Sequence, residues 1–323
     1  MNSNVDISED AIIRLDREVL KRLLEDKTTK RNIIWATKDY LDYGDGFRER
    51  DEIKLSSITG LNCKVIQPRI AKARDNQSSR TKDKAEVFTP SWICNEQNNL
   101  VDEQWFGRKD VFNTAKGNDW ENVKEKIIFP NEKGKSWMDY VDARRMEVSC
   151  GEAPYLVSRY DVVSGEVLPV PRRIGLLDRK FRVINENVDD ECTWNKWAFR
   201  AVQSVYGYEY QGDNLLLARE NVLYTYIDNM EYKFGHSPEL EQLKKIANVI
   251  AWNIWQMDGI TLTIPFGAIK KERLQMNIFD FIDMEEDYEG FDEEMEVIEP
   301  YCKIKDWRSN ISVEYSSLLK GAE

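Results

Sequence analysis

The residue types best placed for chemistry lie in the stretch MEVSCGEAPYLVSRYD, Met146–Asp161. Met146 and Val148 alternate as in a half-buried strand, and Leu156, Val157 and Tyr160 recur at helical spacing. Between them runs the turn Cys150-Gly151-Glu152-Ala153-Pro154. Gly151 has no Cβ, so its backbone can take a positive φ and a ligand can come close. Pro154 suits the first turn of a helix, where its missing N–H costs nothing. A strand, a tight turn and a helix form the unit with which α/β proteins hold a nucleotide-like ligand. Val205-Tyr206-Gly207-Tyr208-Glu209 reads as a second short strand ending on a carboxylate able to accept ribose hydroxyls. Glu209 follows Gly151 by 58 positions, against about 20 in the usual dinucleotide fingerprint, so an insertion must separate them. A surface salt bridge at Glu209, and a turn that binds nothing, fit the same residues.

Other chemistries are restricted by composition. His236 is the only histidine, which rules out Ser-His-Asp triads that need an imidazole elsewhere, and multi-histidine metal sites. The five cysteines are scattered singly, without a CxxC pair, so neither a disulfide framework nor a thiolate zinc site is expected. Glu52-Ile53-Lys54 matches a minimal metal-dependent nuclease pattern but has no Pro-Asp partner upstream.

The net charge of −12 speaks against nucleic acid until its distribution is read. Asp280–Glu299 holds eleven acidic residues and no Lys or Arg, leaving about −1 for the rest. Lys64–Lys84 carries a local +5 and includes Lys72, Arg74, Arg80 and Lys82; Arg172–Arg182 carries +4 and includes Arg172 and Arg173. Basic stripes of this kind meet phosphates, and ordinary solvated helix faces look the same.

The elements that must position these residues follow from periodicity. Residues 7–25 put Ile12, Leu15, Val19, Leu20 and Leu23 on one helical face. Residues 32–40 read as a short strand; Thr89 and Pro90 start a helix as N-cap and first position. Residues 100–145 look irregular, and 179–191 polar. Helices are expected over 194–204, 215–227 and 240–254, with a last strand and helix in 301–307 and 313–319. No apolar run of about 18 residues exists to span a membrane, and the polar N-terminus is unlike a signal peptide. The reading is a cytoplasmic protein.

Three motifs together resemble the adenine-N6 DNA methyltransferases of restriction–modification systems, particularly the M subunits of type I systems. Ala85-Glu86-Val87-Phe88-Thr89-Pro90 is similar to the family's early cofactor motif, and Glu147-Val148-Ser149-Cys150-Gly151-Glu152-Ala153 lies in register with its Asp-Pro-x-x-Gly-Ser-Gly loop. Tyr206-Gly207-Tyr208-Glu209, followed by Ala218-Arg219-Glu220-Asn221-Val222-Leu223, matches Tyr-Gly-x-Glu and Ala-Arg-x-Asn-Leu. All occur in family order, over about residues 80–260. The resemblance implies a Rossmann-like methyltransferase core over 85–275, after an N-terminal helical and basic arm (1–84) and before an acidic C-terminal segment (276–323). It implies S-adenosylmethionine held by Phe88, Thr89, Pro90, Glu147, Cys150, Gly151, Glu152, Ala153 and Glu209, with Asp258 near the adenine.

The family's catalytic loop reads (Asn/Asp)-Pro-Pro-(Tyr/Phe), and this chain contains no Pro-Pro pair. Thr263-Ile264-Pro265-Phe266-Gly267 is the nearest match, with Pro265 and Phe266 as candidates and no amide in the first position. The expected function is an S-adenosylmethionine-binding subunit of a restriction–modification or phage-related system. It would act on DNA with a separate specificity or restriction subunit. A non-catalytic subunit of the same fold, and a nuclease using Glu52 and Lys54, are the alternatives.

Overall fold

The apolar stripe of residues 7–25 forms two helices. In the computed structural model of the protein, which describes residues 8–72, 89–267 and 301–319, α1 spans Glu9–Leu15 and α2 spans Arg17–Leu24. Between them Asp16 has extended backbone, and its carboxylate accepts the Glu18 N–H at 2.7 Å. A short acid is preferred at an N-cap over the middle of a helix, so Asp16 ends one stripe and starts the next.

Residues 32–40, expected as a strand, form only isolated bridges from Asn32 to Glu25 and Ile34 to Glu52. The Gln256 side chain bonds both the N–H and the C=O of Ile34, at 2.9 and 2.8 Å, taking the groups a ladder would use. After the short α3 (Leu55–Ile58), α4 runs over Ser91–Phe106 with Pro90 as its N-cap, one residue later than the sequence indicates. A hairpin, β1 (Asn113–Lys116) and β2 (Asp119–Asn122), and α5 (Trp137–Asp142) organise the stretch read as irregular.

The centre is a parallel sheet of β3 (Arg145–Glu147), β4 (Val205–Glu209) and β5 (Ile254–Gln256), in that order. Met146 stands opposite Tyr206, and Glu209 opposite Gln256. Parallel neighbours need long crossovers. The first carries α6 (Leu176–Asn187) and α7 (Glu191–Gln203), the second α8 (Gly212–Phe234) and α9 (Leu240–Asn253). The chain closes with the antiparallel pair β6 (Lys303–Asp306) and β7 (Ile311–Glu314), then α10 (Tyr315–Leu319). The protein is mixed α/β.

Alternation along the strands divides the core. Val205 and Ile254 join Cys150 and the apolar side chains of α1, α2, α8 and α9. Tyr206, Tyr208 and Trp255 point the other way, against Ile304 and Tyr315. Among the described residues no helix is long and apolar enough to cross a membrane.

Two local expectations are corrected. Leu156–Tyr160 is not helical: Asp161 carboxylate bonds to Val163 N–H and Ser164 N–H turn the chain back so that Tyr160 bridges Val167. The polar stretch after Asp178 is helix α6, whose stripe is disguised by two inward-facing cations, Arg179 and Lys180, each 1% exposed.

Candidate cofactor site

β3 ends on Glu147, and the chain then passes through three left-handed residues, Ser149, Gly151 and Ala153, with φ of 49°, 53° and 63°. For the two that are not glycine this conformation costs about 1–2 kcal/mol each, so the surroundings must impose it. Cys150 N–H donates to the Tyr208 carbonyl at 2.8 Å, and Gly151 N–H to Glu209 Oε2 at 2.8 Å. Asn221 Nδ2 holds the Glu152 carbonyl at 3.0 Å, and Glu147 accepts the N–H groups of Tyr155 and Leu156 at 3.3 and 3.0 Å. On β4, a Cβ at Gly207 would lie 3.3 Å from Cys150 Sγ, so glycine there leaves room for the buried thiol. The turn therefore lies directly on the tip of β4.

Three buried carboxyl groups surround it: Glu147, Glu152 and Glu209. Burial pushes Glu147 up to about 8, opposed by its two N–H bonds and reinforced by the charge of Glu209. Burial also raises Glu209, against the N–H groups of Gln211 and Gly151. Glu152 accepts the Arg69 N–H at 2.7 Å and the Tyr160 hydroxyl at 2.6 Å, which closes the turn from the N-terminal side. A carboxylate offers about four lone-pair positions. Glu209 gives one per oxygen to Gly151 (2.8 Å) and Gln211 (3.1 Å), both backbone donors.

The other predicted positions gather near this edge. The Thr89 side chain acts on the Tyr155 hydroxyl, and Asp161 accepts the N–H of Ser91, just after Pro90, at 2.6 Å. Met257 N–H donates to the Glu209 carbonyl at 3.0 Å, setting Asp258 beside the strand tip, where its Oδ1 accepts the Ile260 N–H at 2.8 Å. In the Thr263–Gly267 turn Pro265 is buried. Phe266 has φ of 63° and lies edge-on to Tyr210, with ring centres 6.0 Å apart. Phe88, Arg74, Arg80, Lys82 and the acidic Asp280–Glu299 lie outside the described residues.

Several described cations of the basic stretches are employed inside the fold. Lys72 is 10% exposed and pairs with Asp213 at 3.0 Å; Arg173 is 6% exposed and pairs with Asp228 at 2.6 Å. Arg172 bonds Asp119 at 2.5 Å and covers the Trp120 ring. Arg179 pairs with Asp102, and Lys180 donates to the Val141 and Ala143 carbonyls. Most cations of the Arg172–Arg182 run are thus committed to partners within the fold, while the Arg172 side chain keeps 39% of its exposure. Elsewhere Glu52 accepts the Asn32 N–H at 3.1 Å, and Lys54 precedes α3. Among the described residues no group of three His, Cys, Asp or Glu is placed to hold a metal ion.

Several residues of this edge escaped sequence reasoning: Tyr160, Asn221, Tyr210 and Arg50. Only Asn221 carried a signal, through the Ala-Arg-x-Asn pattern. Its neighbour Arg219, fully buried, donates to the carbonyls of Ile254 (2.7 Å) and Leu23 (2.5 Å), tying β5 to α2. No family profile, no curated protein and no solved structure matches this chain.

Proposed function

We infer that the protein binds S-adenosylmethionine across the Ser149–Ala153 turn and is a methyltransferase-like subunit acting with DNA in a restriction–modification or phage-related system. One observation carries the reading: a left-handed turn at the end of β3 is bonded to the acid at the tip of the adjacent parallel strand β4. Ligands of open α/β sheets bind beyond the carboxyl ends of the strands, and an acid there accepts ribose hydroxyls. Ala153 stands where the family has its last glycine, and its φ of 63° is a conformation glycine favours. Strand order β3-β4-β5 suits one half of a Rossmann-like core. Glu209, which also takes the Tyr210 N–H, keeps acceptor capacity for a ribose hydroxyl, and Asp258 would stand at the adenine end. An active subunit would carry the methyl group to adenine N6 by direct attack of the amine on the sulfonium carbon. Positioning and electrostatics supply that rate.

The second reading, a subunit that binds the cofactor without transferring its methyl group, is favoured by the Thr263–Gly267 turn. Thr263 Oγ1 donates to the Ile264 carbonyl at 3.0 Å, and no amide is present to hold an exocyclic amine. Titration calorimetry with S-adenosylmethionine tests the cofactor assignment. Glu209→Ala is expected to weaken binding by about ten- to a hundredfold, from a charged hydrogen bond of about 1.5–3 kcal/mol. No heat with the wild type, or unchanged binding in the variant, removes the assignment. Transfer of a labelled methyl group to mixed-sequence DNA then separates the active from the inactive subunit.

A further inference from the structure

The N-terminal arm reaches the same sheet edge. Residues 33–36 run alongside 49–53, with Ala36 N–H on the Glu49 carbonyl at 2.8 Å and Trp35 N–H on Asp51 at 3.1 Å. Gly212 N–H, just past the tip of β4, donates to the Trp35 carbonyl at 3.0 Å, and Ile34 is clamped by Gln256 at the end of β5. A Cβ at Gly212 would run into the Ile34 carbonyl, so the arm is seated against the strand ends without slack.

This seating puts Arg50 at the mouth of the site. Its guanidinium carbon lies 4.6 Å from the centre of the Phe266 ring, and its charge, with those of Asp258 and Glu49, acts on the Tyr210 hydroxyl. Arg50 is exposed and, among the described residues, makes no ion pair or hydrogen bond. It differs in this from Lys72, Arg173, Arg179 and Lys180, each committed to acids or carbonyls of the fold. Stacking on a ring orders a guanidinium while leaving its N–H edge open, the geometry in which arginine binds phosphate.

We propose that Arg50, ordered on the Phe266 ring, takes a phosphate of a nucleic-acid strand. Nucleic acid would then be held at the cofactor edge by the N-terminal arm, and not by the Arg172–Arg182 run. The proposal rests on the reading of the protein as acting with DNA, but its test does not require the cofactor.

The probe is a short fluorescently labelled single-stranded DNA of mixed sequence, titrated with the full chain at several salt concentrations and read by anisotropy. Arg50→Ala is expected to weaken binding several-fold and to reduce the slope of log K against log salt by about 0.7, one phosphate's share for a single strand. Phe266→Leu, which removes the ring that orders the guanidinium, is expected to weaken binding by about two- to fivefold, with the slope unchanged. Arg172→Ala should change neither. A urea unfolding curve of Arg50→Ala, expected to match the wild type, shows that the variant is folded. Should Arg50→Ala keep the wild-type affinity and salt slope, or the wild type bind no DNA, the proposal is overturned. If DNA binding depends on Arg50 while the wild type gives no heat with S-adenosylmethionine, the cofactor reading fails and this one stands.

Discussion

Helix α6 and the Ser149–Ala153 turn both bury ionisable groups, and they satisfy them in opposite ways. In α6 the buried groups are cations. Arg179 spends its donors on Asp102, Asn95, Asn99 and the Ile174 carbonyl, and Lys180 on two carbonyls and Ser204. At the turn the buried groups are carboxyls, met largely by backbone N–H groups. A guanidinium with its donors used has nothing left for a ligand. A carboxylate with lone pairs remaining, beside backbone held at positive φ, has both acceptor capacity and stored strain. The first region is framework; the second has the properties of a site.

The two regions meet at Gly175, the N-cap of α6, where the Leu176 and Leu177 N–H groups donate to the carbonyls of Tyr155 and Leu156, each at 2.8 Å. A Cβ on Gly175 would collide with the Leu156 carbonyl, a backbone atom that cannot step aside. Gly175→Ala should therefore separate helix from turn and produce the largest effect: loss of the cooperative urea transition, or a drop of more than about 4 kcal/mol by an overpacking mechanism. Retention of wild-type stability would show that the regions are not coupled there.

Next in size, Arg179→Met leaves Asp102 buried without its partner, a loss of about 3–5 kcal/mol measurable by urea unfolding. Cofactor affinity in the folded fraction should stay as in the wild type, because the cation serves the framework.

Acidic burial gives the opposite region its own signature. Glu147 titrates at about 8 in the folded protein against an ordinary 4.5, so the native state holds its proton more tightly than the unfolded chain. Its contribution to stability is fully present below pH 4.5 and is lost as pH rises to about 8. In Glu147→Gln that loss is absent, and the stability of the variant relative to wild type should climb over this window by a few kcal/mol. Unfolding curves at pH 5, 7 and 9 check it; a constant difference would mean that Glu147 is not protonated in the fold. Gly151→Ala should have the smallest effect, about 1–2 kcal/mol, from a Cβ at a φ of 53°, accompanied by weaker cofactor binding.

How far the sequence disclosed these regions depends on where charge is buried. The Val205–Glu209 strand was legible with its residue limits, and the Leu240–Ile254 helix to within one residue, because propensity and pattern agree there. Helix α6 was not legible: Arg179 and Lys180 point inward, so the apolar stripe of Leu177, Phe181 and Ile184 looks broken. The long α8 was read short, as 215–227 instead of Gly212–Phe234, because its buried Asp213, Asn214 and Asn229 resemble helix ends. Of the candidate site, the turn and Glu209 could be placed from glycine and strand chemistry. Arg50 and Tyr210 could not, since nothing local in residues 33–53 says that Trp35 and Ile34 seat against groups 177 and 222 positions later.

A crystal soaked with sinefungin, a stable analogue of the sulfonium cofactor, tests the central claim most directly. The account predicts its ribose hydroxyls on Glu209, its amino-acid end over the Ser149–Ala153 turn and its base beside Asp258. Density for the ligand anywhere else, or Glu209 still bonded only to backbone N–H groups in a soaked crystal, would contradict it.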